Sequence, residues 1–84
     1  MKPVRLTKHA LLQCQERGAT EEEVRQAIAD GKREPTKLGR MVCRYNFRYE
    51  QSWGGEFYPV KQVAPVIKEE PEEIVVITVY TYFF

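Results

Sequence analysis

Apolar and polar positions follow two different periods along the chain, and the change falls near residue 40. Before it, Ala10, Leu11 and Cys14 recur at helical spacing, with Leu12 off to one side, and Val24, Ala27 and Ile28 fall at i, i+3 and i+4. Residues so spaced share one face of a helix. The boundaries are written locally. Thr7 can cap a helix over residues 7–17 through its hydroxyl, and Gly18 stands where a helix stop favours positive φ. Thr20-Glu21-Glu22-Glu23 spells a capping box: the Thr20 hydroxyl takes an amide of the first turn, and Glu23 reaches back to the Thr20 amide. Three acids in that turn also suit the positive end of the helix dipole. Asp30-Gly31 closes the second helix, with Lys32 and Arg33 near its negative end, and residues 31–39 read as a loop.

Beyond residue 40 the period is two. Met41, Cys43, Tyr45, Phe47 and Tyr49 point one way, and Arg40, Val42, Arg44, Asn46, Arg48 and Glu50 the other, as on a half-buried strand. Ser52-Trp53-Gly54-Gly55 predicts a turn, and residues 57–69 a second strand. Pro59 and Pro65 cannot donate to a ladder, so its regular part is expected from Lys61 onward, at a sheet edge. Glu69-Glu70-Pro71-Glu72 predicts a tight turn. Ile74–Phe83 is apolar on both faces, the pattern of a covered central strand. The expectation is an α+β fold of order α-α-β-β-β, with two N-terminal helices packed on a three-stranded antiparallel sheet, forming a single domain over residues 1–84.

Composition narrows the function classes. At 84 residues, 43% hydrophobic and 30% charged, the chain has room for one shallow core rather than a deep substrate cavity. No apolar run reaches the length of a membrane helix, and Met1-Lys2-Pro3-Val4-Arg5 opens no signal-peptide pattern, so a cytoplasmic protein without a membrane partner is expected. Cys14 and Cys43 lack metal-ligand spacing and, with His9, fall short of a four-ligand zinc set. Buried, reduced thiols are expected, with no metal and no cofactor. A dimer would add buried area. The net charge is only +1, yet residues 1–50 carry 11 Lys/Arg against 7 Asp/Glu and residues 51–84 carry 2 against 5. Lys32 to Arg48 holds six basic residues and one acid, Glu34, the one electrostatic hint of an anionic partner.

Thr7-x-His9-Ala10, Arg17-Gly18-x-Thr20, Glu23-Val24, Ala27-Ile28 and Gly31, with the closing Val76-Ile77-Thr78-Val79-Tyr80, resemble a bacterial family of unknown function whose first helix carries an H-A-x-x-R-M-x-x-R-G-I-type motif. That family is distantly similar to the RelE/ParE/BrnT toxin group. The resemblance implies two helices on an antiparallel sheet, RNA or the ribosome as a ligand, and an antitoxin-like protein as a partner. It departs at Gln13 and Cys14, which stand where the motif has Arg and Met.

Two functions from different classes follow. In a toxin-like ribonuclease acting on free or ribosome-bound mRNA, His9 is the acid or base, since imidazole titrates near neutrality. Arg17 and Arg44 support it, Tyr80 acts as an acid or orients phosphate, and Arg40, Arg44 and Arg48 bind the RNA backbone. Arginines four apart on a strand are about 13 Å apart and can meet alternate phosphates. In a non-catalytic binding or assembly module, His9 is tied into the core and the arginines are matched by acids such as Glu69, Glu70 or Glu73. Pairing would then use a sheet edge or the aromatic tail Tyr80 to Phe84. Trp53 either anchors a partner or covers the edge of the core. The balanced charge favours the module.

Overall fold

The computed structural model describes residues 2–84. In chain order the elements are β1 (Val4–Leu6), α1 (Lys8–Arg17), α2 (Glu21–Asp30), β2 (Lys32–Pro35), a short 3-10 turn (Lys37–Gly39), β3 (Met41–Trp53), β4 (Glu56–Glu69) and β5 (Ile74–Phe83). The strands form one sheet in the order β1-β5-β4-β3-β2. All neighbours are antiparallel except β1 and β5, which run parallel from Val4↔Ile74 to Leu6↔Val76. The fold is therefore α+β, with two helices and a five-stranded mixed sheet.

The helices obey their caps. Thr7 accepts the Ala10 amide at 3.1 Å, and Gly18 closes α1 in the left-handed region at φ 72°. Both arms of the Thr20–Glu23 capping box are present. Arg33 donates to the Ile28 carbonyl at 3.2 Å, so one of the two cations foreseen at the end of α2 does bond its free carbonyls. Ala10 and Cys14 from α1 and Val24 and Ile28 from α2 pack with Cys43, Val63, Ile67, Ile74, Val76 and Val79. Burial pushes both thiols up, away from the reactive thiolate.

Three expectations are corrected. The sheet has five strands rather than three, and it is mixed rather than purely antiparallel. β1 is three residues long and carries too little pattern to read alone; it exists because β5 offers it an edge. The 31–39 segment is a β-hairpin arm rather than a loop: Lys32 to Pro35 pair with Arg44 to Met41. Its Lys-Arg-Glu-Pro composition suits an edge strand, where charge and proline discourage further pairing. Finally, β4 is the middle strand, not an edge. Its prolines sit where the ladder with β3 is interrupted. Pro59 faces the register shift between Arg48 and Gln51, where Glu50 takes φ 49°, and Pro65 lies in the gap between the Val42↔Val66 and Tyr45↔Val63 pairs. β5 has a strand on each side only over Ile74–Val76, where β1 pairs with it, so it is covered over a shorter length than its two-sided apolarity predicts.

Ion pairs add to the backbone pairing and core contacts that hold β1. Arg5 donates twice to Glu73, both at 3.1 Å, and Lys2 donates to Glu69 at 3.0 Å. Hydrogen bonds from Arg5 and Lys2 hold the Glu73 and Glu69 carboxyls below the usual range. A depressed carboxylate contributes stability that is present above its unfolded pKa and lost as pH falls through the folded one. Protection of the Thr7 amide, which donates to Val76 O, should therefore drop as pH falls below about 4, ahead of the central strands. Simultaneous loss of protection throughout the sheet would show that these pairs do not fasten β1 separately.

Candidate binding face of the sheet

Both helices cover the sheet face that carries Cys43, Val63, Ile67, Val76 and Val79. Strand alternation sends the intervening residues to the other face, which no helix covers. There Arg44 is the centre of a cross-strand cluster. Its Nε donates to Glu34 of β2 at 2.7 Å, its Nη1 to Gln62 of β4 at 3.0 Å, and its guanidinium lies over the Tyr82 ring of β5, 5.8 Å from the centroid. Gln62 in turn donates to Asn46 Oδ1 at 2.9 Å. Tyr80 and Tyr82 of β5, and Phe84 just past its end, alternate on this face with 42%, 45% and 55% of their surface exposed. Arg48 follows Arg44 on β3, 84% exposed in its side chain and bonded to Glu50 at 2.6 Å.

At the flank of this face α1 takes over from β1. β1 stops at Leu6, leaving the outer edge of β5 without a strand partner, and α1 supplies the bonds instead. The Thr7 amide donates to Val76 O at 3.2 Å; Gln13 Oε1 accepts the Val79 amide at 2.8 Å and the Thr78 hydroxyl; Arg17 donates to Val79 O at 2.8 Å. Arg17 also lies over Tyr80, 5.2 Å from the ring centroid. Gln13, where the resembled motif has Arg, is thus a buried strand-edge cap. His9 lies one turn earlier on the same stripe of α1, about 12 Å along the axis from Arg17, and it is exposed rather than tied into the core.

The candidate residues therefore separate into groups. Arg17 meets Tyr80 and Arg44 meets Tyr82, while Arg48 stands free of either ring on the same face as Arg44. Arg40 precedes β3 in the hairpin turn, its amide bonded to Lys37 O at 3.3 Å. His9 belongs to the helical layer and Arg44 to the opposite side of the sheet. The acids paired with Arg44 and Arg48 are Glu34 and Glu50, not Glu69, Glu70 or Glu73, which bond to Lys2, Arg5, Arg33 and Lys68 instead. Glu34, Asn46 and Gln62 escape the sequence because they join the cluster only through strand register. Trp53 stacks on Phe83 at 5.1 Å and 15° and closes over Gly18, covering the end of the core.

Among the described residues, no helix is long and apolar enough to cross a membrane. No curated protein matches the chain, and neither does any solved structure. The model of a family described as a domain of unknown function (DUF4258) matches residues 6–81, a span that runs from the end of β1 through most of β5. The chain belongs to this family.

Proposed function

We propose that this protein is a non-catalytic binding or assembly module, a single domain over residues 1–84 with a layout like that of RelE-type toxins, working through the open sheet face. The observation that carries this reading is the placement of its two key groups. His9 projects from the helical layer, whereas Arg44 lies across the sheet from it, already matched by Glu34 and bonded to Gln62. Phosphodiester cleavage needs a base and a charge-stabilising cation at the same phosphate. Recognition of a partner needs only an exposed, ordered surface, and Tyr80, Tyr82 and Phe84 supply one. An antitoxin-like protein, a second copy or an RNA are partners of the kind this surface suits.

One observation favours the toxin-like ribonuclease: His9 is exposed and available for proton transfer, with Arg17 and Tyr80 further along the same flank. Incubating purified protein with labelled mRNA, with and without translating ribosomes, separates the two readings. The module is expected to leave the RNA intact in both formats. Cleavage that disappears in both His9→Ala and Arg44→Ala would establish the nuclease instead.

A further inference from the structure

We infer that the occupant of the open face is single-stranded RNA, bound by base stacking on the β5 aromatics. This inference rests on the binding-module reading and gives that module its ligand. Side chains two apart on a strand are about 7 Å apart. Tyr80, Tyr82 and Phe84 are thus three successive platforms along one line, each about half exposed, in the arrangement by which sheets hold splayed bases. The aromatics of β3 lack this position, because Tyr45 and Phe47 alternate to the helical side.

Two cations brace the platform. Arg44 lies over Tyr82 and Arg17 over Tyr80. Both are also fixed by hydrogen bonds, to Glu34 and Gln62 and to Val79 O, so the two rings are held before any ligand arrives. Two strands away, about 10 Å, the arginines of β3 run alongside the aromatic line. Arg48 is the most available. Its pair with Glu50 is exposed on both sides, and such pairs contribute little and exchange readily for another anion. The face therefore offers stacking with a small phosphate component, which agrees with a net charge of only +1.

Asn46 selects ribose. Its Oδ1 is filled by Gln62, which leaves its amide N–H groups as the donors of an exposed residue between Arg44 and Arg48 on the strand. A 2′-hydroxyl can accept from them, and that group is what distinguishes RNA from DNA at a site.

The test is fluorescence anisotropy with a labelled twelve-nucleotide oligouridine, the same length of oligothymidine as the DNA arm, and a gel of the recovered probe. The expected result is intact bound RNA and weaker DNA binding. Affinity should fall roughly tenfold or more in Tyr80→Leu and in Tyr82→Leu and only a few-fold in Arg48→Gln. The slope of log K against log salt should lie between about −1.4 and −2.1, the value for two or three phosphates on a single strand. Thermal unfolding of each variant checks that it remains folded. An unbound but intact probe overturns the RNA assignment and leaves the module reading standing, whereas a cleaved probe overturns the module. Binding unchanged in both tyrosine variants overturns the stacking face, and equal binding of the DNA overturns the choice of RNA.

Discussion

Glu23→Ala is expected to destabilise the fold by about 3–5 kcal/mol, while Lys61→Met, which removes the other half of the same ion pair, costs about 1 kcal/mol or less. Lys61 stands on the middle strand, only 6% exposed. Its ammonium donates to Glu23 at 2.7 Å and to Gly18 O at 2.9 Å, and it lies 5.2 Å from the centre of the Tyr49 ring. The Glu23 oxygen that receives it also accepts the Thr20 amide at 3.0 Å, so one carboxylate both closes the capping box and neutralises a buried cation. Truncating Glu23 strands that cation in the interior and frees a helix amide. Truncating Lys61 leaves Glu23 with its amide and with water, because Glu23 keeps more exposure than Lys61, and methionine fills the space of the lysine stem. Urea unfolding of the two single variants and the double variant measures this. The double variant should regain most of what Glu23→Ala loses, at an unchanged m-value. Equal losses in the two single variants would mean that the ammonium finds another partner or water when Glu23 is gone.

Lys61 also illustrates how much of the fold the chain makes legible. It falls in phase with Val63 and Ile67, so a charge on an apolar stripe is visible in the sequence, but only the packing of α2 against β4 identifies its partner. Signals completed within a few residues are readable. Thr7, Gly18 and the Thr20–Glu23 box delimit both helices because a cap is satisfied by its own neighbours, and the alternation from Arg40 to Glu50 fixes the faces of β3. Elements defined by a distant partner are not. β1 and β2 are three and four residues long, and their backbone groups are satisfied by β5 and β3 rather than by any pattern of their own. The prolines of β4 mislead for a related reason. A missing N–H matters only where the neighbouring strand asks for it, and β3 shifts register beside Pro59. At the candidate face, alternation places Arg44 and Arg48 together, yet Glu34, Gln62 and Tyr82 come from three other strands, and register between strands cannot be read from any one of them.

The second large effect is expected at a glycine whose backbone conformation is ordinary. Gly31 ends α2 at φ −75°, ψ 163°, values that any residue adopts. Space is what it lacks. A Cβ here would lie 2.7 Å from the Arg44 carbonyl oxygen and closer still to that of Ala27, and both obstacles are backbone. Neither can swing aside as a side chain would. The Ala27 carbonyl is held by the Gly31 amide at 2.8 Å, and Arg44 is fixed in register opposite Lys32. Gly31→Ala must therefore pry the end of α2 away from β3, at a cost of about 3 kcal/mol or more, the upper end of what overpacking costs. Gly39 is the natural control. It has φ 70°, and a Cβ added to it would meet nothing within 4 Å, so Gly39→Ala incurs only the left-handed penalty of about 1 kcal/mol. Thermal unfolding should rank the two variants in that order, the reverse of a ranking by positive φ. Because Arg44 also carries the contacts to Gln62 and Tyr82, Gly31→Ala should shift the Tyr82 ring resonances, and Gly39→Ala should leave them in place. If the two alanines cost the same and Tyr82 is undisturbed in both, the close approach of α2 to β3 does not set the position of the open face.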